Sequence, residues 1–440
     1  MTRVGRRAVV AFSLLTGVAR ALGRTPVGGT LRFSLPLRIG ELDPHSLDDP
    51  LAALFAPAVT DALYALDAGG KPYPTLAAAL PEPLAGGSKV RIALRPGLVT
   101  AAGKRLSARD ALFSLERARK GGGGAVLREL GDIAPDPSDA LALIVPASDP
   151  AHVAVALASP LTALVPRGFS ALAPDGTGAF RATLGRGELV LVRNQNAARG
   201  SAFLERIEVR AARDLADALR TFESGLADVG WLGSGLHRPR AGSVAFEGPE
   251  FGWVVLRTGR DARAWGAPGI AEQLLARIPS ERLRPLGVVA PVRAGTQGAA
   301  WGGGAAELLV ADDSPQLAEI ADALAPLLAG AAHPVVARRI ARADFVGRRN
   351  DGRYQLMLDF VRNVGPPGRA TLLALLAATN PELAARPPQV TSYDPVDIAR
   401  RYALGIVGAL RASGARHPDT RLLESWQLGA VYRAKPNAPS

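Results

Sequence analysis

Leu106-Ser107-Ala108-Arg109-Asp110-Ala111-Leu112-Phe113-Ser114-Leu115-Glu116-Arg117-Ala118 decides the fold, and it closes a longer series that opens at Gly28. Ser107 and Asp110 have capping-box spacing, in which Ser107 accepts from free N–H groups of the helix that Ala111, Leu112, Leu115 and Ala118 continue. Upstream, Lys89-Val90-Arg91-Ile92-Ala93-Leu94 alternates as a half-buried strand and ends at Arg95-Pro96-Gly97-Leu98. Before it come Leu63-Tyr64-Ala65-Leu66-Asp67, a Gly69-Gly70-Lys71-Pro72 turn and Pro74-Thr75-Leu76-Ala77-Ala78-Ala79-Leu80. Thr30-Leu31-Arg32-Phe33-Ser34-Leu35 puts Leu31, Phe33 and Leu35 on one face of a first strand. It leads to Leu42-Asp43-Pro44-His45, where Pro44 pushes Asp43 away from helical angles.

This series resembles the start of the family 5 extracellular solute-binding proteins, the peptide/nickel-type receptors of ABC importers. That family shows a glycine-led strand, a Leu-Asp-Pro turn, a Gly-Lys-Pro-x-Pro-x-Leu-Ala segment and a strand closing on Leu-Arg-x-Gly-Leu. Leu-Thr-Ala-x-Asp-Val-x-Phe-Ser-Leu-x-Arg-Ala follows, and all five stand here in order. Further on, Gly176-Thr177-Gly178-Ala179-Phe180 resembles the family's Gly-Thr-Gly-Pro-Tyr, whose glycines admit close backbone approach. The strand Glu188-Leu189-Val190-Leu191-Val192 with Arg193-Asn194, then Phe203 to Val209 and Gly225-Leu226-Ala227-Asp228-Val229, continue the match. The resemblance covers about residues 28 to 433 and is patchier in the second half.

Other elements are read from pattern alone. Gly121-Gly122-Gly123-Gly124 reads as a flexible connector, since no Lys-Ser/Thr follows to make it a phosphate loop. Leu141-Ala142-Leu143-Ile144-Val145 reads as a strand, and Leu215, Ala218, Leu219 and Phe222 share one helix face. Gly248-Pro249 reads as a break before a new strand at Trp253-Val254-Val255-Leu256. Ser314-Pro315 starts a helix with Ser314 as N-cap and a stripe of Leu317, Ile320, Leu324, Leu327 and Leu328. Strands at Pro334-Val335-Val336-Ala337 and Tyr354-Gln355-Leu356-Met357-Leu358 flank it, which points to α/β.

The chain has 440 residues, a formal charge of +12 and only five lysines among its 52 Lys plus Arg. The arginines alternate with acids, and no run of basics interleaved with aromatics argues for a nucleic-acid partner. Cysteine is absent, which excludes disulfides, thiolate metal sites and a thiol nucleophile. It also excludes the lipid-modified cysteine that tethers many members of the family. Residues 1–21 read as an export signal, with Arg3, Arg6 and Arg7 before a short apolar run and Ala19-Arg20-Ala21 at the cleavage site. Arg6-Arg7 with Val9-Val10 partly resembles a twin-arginine signal, and an ordinary Sec signal fits as well.

No catalytic constellation is visible. His45, His152, His237, His333 and His417 are scattered, and Gly233-Ser234-Gly235 lacks the outer glycines of a nucleophile elbow. The informative segment is Asp359-Phe360-Val361-Arg362-Asn363-Val364-Gly365-Pro366-Pro367. Where peptide-binding members of the family read Gly-Trp-x-Ala-Asp-Tyr-Pro-Asp-Pro, the Asp receives the ligand's ammonium group. Here Asn363 takes that position, with Arg362 before it and Phe360 where the Trp sits, and an amide cannot neutralise an ammonium. Arg362 has two readings, an anchor for an anionic ligand or a solvated loop residue. Trp231 is either on the cleft or in the core, and His45 beside the Leu-Asp-Pro turn completes the candidate ligand-binding set.

The resemblance implies an α/β, two-lobed periplasmic binding protein of the large peptide-receptor subclass, with a hinge between lobes. The expected division is a signal at 1–21 and lobe I at 22–251, with an inserted subdomain at about 70–160. Lobe II follows at 252–422, and a return strand at 423–440 goes back to lobe I, so the two crossovers fall near 251 and 423. The implied function is capture of a peptide-like or other small polar solute for a membrane permease and its ATPases; the alternative is a sensor or scaffold without transport. The expectation is a monomeric, exported, non-lipidated periplasmic protein, with no enzyme activity, metal, cofactor, nucleic-acid partner or membrane anchor.

Overall fold

The computed structural model describes residues 28–67, 69–128, 130–231, 243–289, 298–364, 375, 401–402 and 404–416. The expected export signal and the expected return strand at 423–440 lie outside these residues. Strand β1 (Thr30–Leu35) buries Leu31, Phe33 and Leu35 as its alternation predicts. Helix α1 (Pro50–Val59) is capped by Asp49, whose carboxylate accepts from the Leu51 N–H at 2.8 Å. Phe55 of α1 meets Phe33 edge-on with ring centroids 6.1 Å apart.

The chain then leaves the main sheet for a separate four-stranded sheet. Here β2 (Val90–Ala93) pairs antiparallel with β3 (Ala142–Val145), flanked by two-residue strands at Glu82–Pro83 and Ala134–Pro135. Between β2 and β3 in sequence, α2 (Ala108–Lys120) packs Ala111, Leu115 and Ala118 into a second core, which Trp253 and Val255 of the main sheet also enter. Its start is the expected capping box, in which Asp110 accepts from the Ser107 N–H at 3.1 Å and also from the Ser107 hydroxyl at 2.7 Å. The glycine run after α2 is no flexible connector. Gly122 donates to the His45 carbonyl at 2.9 Å, and a Cβ on it would stand 2.7 Å from that oxygen. Close approach of backbone is what the run provides.

Back in the main sheet, β4 (Phe180–Gly185), β5 (Glu188–Arg193) and β6 (Arg206–Ala211) form an antiparallel set, and β6 pairs parallel with β1. Gly176 and Gly178 before β4 press on the end of α1, where a Cβ would come within 2.4 and 2.5 Å of Val59 backbone atoms. Helix α3 (Leu215–Glu223), capped by Asp214, leads to β7 (Val229–Trp231) on the other side of β1. β8 (Val244–Thr258) runs straight through Gly248-Pro249, which sequence reading made a break. The strand absorbs them in a register shift between Glu247 and Glu250, one of three irregularities along it.

After β8 come α4 (Ile270–Ala276), β9 (Val288–Val289), β10 (Ala306–Ala311), α5 (Pro315–Leu328), β11 (Val335–Ile340), α6 (Arg342–Asp351) and β12 (Leu356–Arg362). Pro315 occupies the first turn of α5 as expected, but the Ser314 hydroxyl makes no cap bond. Leu317, Ile320, Leu324 and Leu328 are buried together. β13 (Ile406–Arg416) then pairs with β8 along its length and with β7 at its far end. One 11-stranded sheet results, in the order β11-β10-β12-β8-β13-β7-β1-β6-β5-β4, with β9 added on β13. The long β8–β13 ribbon thus joins the two halves of the sheet.

Candidate functional site

A cavity of about 1420 Å³ has two walls. One wall is the loop at 41–48 with the end of α2; the other is the segment at 256–271, the end of α6 and part of β12. The loop wall is built by Asp43. Its carboxylate accepts from the His45 N–H at 2.9 Å, an Asx turn, and receives Arg117 on both oxygens at 2.7 and 2.6 Å. Burial outweighs each single partner, yet Arg117 and the His45 N–H together hold Asp43 below the usual carboxylate range.

His45 is packed behind that turn, 2 % exposed. Its Nδ1 lies 2.8 Å from Arg117 Nη1 and its Nε2 lies 2.8 Å from the Ala163 carbonyl. A guanidinium only donates, so Nδ1 accepts and Nε2–H donates, and the ring is the neutral tautomer. Burial, with Arg117 nearby, pushes its pKa down to about 4. Both ring nitrogens are committed inside the protein, and His45 has none left for a ligand.

An ionic network crosses the cleft. Asp48 of the loop reaches Arg349 at 2.5 Å and Arg342 at 3.1 Å, both on α6. Arg349 also meets Asp359 of β12 at 3.3 Å, and Arg257 of β8 lies 3.6 Å from the same carboxylate. Burial disfavours the charged form of Asp48, but Arg349 and Arg342 more than offset this and lower its pKa. Asp359 interrupts a run of buried apolar residues in β12, and a charge there needs the partners that these arginines supply.

Arg362 is the last residue of β12 and 1 % exposed, so it is neither a solvated loop residue nor on the cavity wall. Its Nη1 donates to the Pro44 carbonyl at 2.8 Å and its N–H to the Leu47 carbonyl at 2.7 Å. Burial draws its pKa down to about 10. Asn363 fastens β12 to β8, with its N–H on the Phe251 carbonyl and its Nδ2 on the Glu250 carbonyl, each at 2.9 Å. Phe360 does border the cavity, although its ring is buried against Phe251 at 5.9 Å. Trp231 ends β7 in register with Gly414. Of the five expected residues, the cavity brings together His45 and Phe360.

Sequence reading missed Asp48, Arg349, Arg257 and Asp359, and it missed the segment at 260–266. Asp359 had a visible signal, a charge inside Leu356-Met357-Leu358-Asp359-Phe360-Val361. Arg263 had none. It is the one non-glycine with positive φ among the described residues, at φ 52° and ψ −121°, and such strain costs about 1–3 kcal/mol. Among the described residues no cluster of His, Cys, Asp and Glu could hold a metal, and no helix is long and apolar enough to cross a membrane.

No protein-family model and no curated protein matches the sequence. Solved structures do match over nearly the whole chain. The oligopeptide-binding protein AppA from Bacillus subtilis, in complex with a nonapeptide, aligns with a TM-score of 0.71 at 12% identity, over 92% of this chain and 98% of that one. The ABC transporter-associated periplasmic binding protein DppA from Helicobacter pylori, in complex with the peptide STSA, gives 0.68 at 15% identity, over 92% and 98%. The binding protein AgaA from A. tumefacien R10, in complex with agropinic acid, gives 0.67 at 15% identity, over 92% and 98%. The chain therefore has the two-lobed α/β fold of these binding proteins.

Proposed function

We propose that this protein is an exported, periplasmic, non-lipidated solute-binding protein of an ABC importer. It takes a peptide-like or other small polar solute between its lobes and presents the closed form to a permease and its ATPases. The observation that carries the reading is the cavity of about 1420 Å³ that opens between the loop at 41–48 and the segment at 256–271, beside the β8–β13 ribbon. The solute's extra affinity for the closed arrangement sets how far closure goes, because a ligand shifts an equilibrium only by its differential binding. On this reading lobe I comprises residues up to about 251 and lobe II begins at about 252, where β8 turns from pairing with β13 alone to pairing with β12 as well.

An ammonium-first mode of peptide capture finds no free acceptor at the expected position. Asp43, Asp48 and Asp359 are each engaged by arginine and Asn363 spends its amide on the ribbon, which leaves Glu41 and Asp351 as the cavity's carboxylates without an ion pair among the described residues. Native mass spectrometry of protein purified from its own periplasm, followed by small-angle scattering with and without the solute found, tests the reading. A bound small molecule and a smaller radius of gyration are expected. A chain that carries no solute and whose profile never changes refutes it.

A further inference from the structure

Arg260 and Arg263 are the arginines of the cavity that have no ion pair among the described residues. Asp43 is matched by Arg117, Asp48 by Arg349 and Arg342, and Asp359 by Arg349 and Arg257. Arg260 and Arg263 make no ion pair and no side-chain hydrogen bond among the described residues, although Glu41 and Asp351 border the same space. Lys120 stands on the facing wall at the end of α2, likewise without an ion pair.

Their platform is rigid. The Arg260 N–H donates to the Gly352 carbonyl at 2.9 Å and the Asp261 N–H to the Tyr354 carbonyl at 3.2 Å, while Ala262 is sunk in the core at 5 % exposure. Gly259 sits so tightly that a Cβ would lie 2.3 Å from the Tyr354 carbonyl oxygen. The Arg260 guanidinium passes across Gly352, with Nε 3.1 Å from where a Cβ would be. Arg263 then takes the left-handed kink that turns the segment along the cavity. A glycine would hold that kink without strain, so an arginine there is explained by its head group and not by its backbone.

We propose that Arg260 and Arg263 together receive an oxyanion of the captured solute, a carboxylate or a phosphate. Guanidinium forks match both groups bidentately, and two on one fixed segment select for an anionic solute over a cationic one. The proposal rests on the reading that the cavity captures a solute. Lys120 faces the same space and adds positive potential.

The test uses the full chain and the small-molecule extract of its own host, split by ion exchange into anionic, neutral and cationic fractions. Thermal melting and scattering are recorded with each. The anionic fraction is expected to raise the melting temperature and compact the protein, and the other two to do neither. Arg263→Gly is expected to melt at or above the wild-type temperature without extract, yet to need about tenfold or more of the anionic fraction for the same shift. Arg260→Ala is expected to lose a similar factor. Phosphatase treatment separates the sources: loss of the response assigns a phosphate, survival a carboxylate. A response confined to the neutral or cationic fraction, or undiminished in both variants, overturns the proposal and leaves capture standing. No response to any fraction overturns capture itself.

Discussion

Replacing Asp48 by Asn removes the charge that ties the lobe I loop to α6 while keeping side-chain size. The carboxylate stands 2.5 Å from Arg349 and 3.1 Å from Arg342, with all three side chains largely buried. Arg349 keeps Asp359 after the change, whereas Arg342 loses its one ion pair among the described residues and keeps only the Asp48 carbonyl at 3.5 Å. A hydrogen bond to a charged group is worth about 1.5–3 kcal/mol, and taking about 2 kcal/mol gives a change of about 30-fold in any equilibrium that breaks it. If lobe opening is that equilibrium, the closed-to-open ratio falls about 30-fold in Asp48→Asn. Spin labels placed across the cleft, one on each lobe, report this as a broader and longer distance distribution without ligand. Because the folded Asp48 pKa is depressed, the ion pair's contribution is full above the ordinary carboxylate range and is lost as pH falls through the lowered value. Wild-type protein is therefore expected to reproduce the variant's distances on acidification, and the variant to change little. Unchanged distances together with lower global stability would show that Asp48 stabilises the fold without gating the cleft.

Three further outcomes are expected. His45, held neutral with a pKa of about 4, makes the unfolded chain the greater proton binder between about pH 6.5 and 4, so its contribution falls by about 3 kcal/mol over that window. His45→Gln can keep both bonds without titrating, and urea unfolding at pH 7 and pH 4 should show the difference between the proteins shrinking in favour of the variant on acidification. Asn363→Asp loses the donor to the Glu250 carbonyl and sets a carboxylate against it; a loss of about 1–3 kcal/mol at pH 7 is expected, smaller at pH 3 where the acid can donate. Gly252→Ala would place a Cβ 2.1 Å from the Phe360 ring, and denaturant titration should show a loss of about 1–3 kcal/mol or more.

What the sequence made legible is what local patterns govern. β1, the helix after Ser107, the close glycines at 176 and 178, and the start of α5 at Pro315 each follow from neighbours in the chain. Their expected places hold because capping, alternation and small residues act within one element. The site is built differently. Arg362 bonds a carbonyl 318 positions away, and Arg349 bonds Asp48 across 301 positions, so their partners are set by tertiary packing. Gly248-Pro249 misled because a strand can absorb a proline in a register shift, a cross-strand property with no local mark. The glycine run at 121–124 misled because one composition serves both freedom and close approach.

The ribbon between the lobes carries one more consequence, for the chain lengths that this fold tolerates. Along β8, Phe251, Val254 and Leu256 enter the core of the main sheet, while Trp253 and Val255 enter the core of the inserted subdomain. Deleting one residue upstream of Trp253 would exchange the two sets, presenting an indole where a valine fits, on both sides of the sheet at once. The same deletion at the exposed turn of Gly86 and Gly87 shortens only a surface link. Length variation in proteins of this design should therefore gather in turns and be excluded from the two crossing strands, whose residue count serves as a ruler shared by two cores.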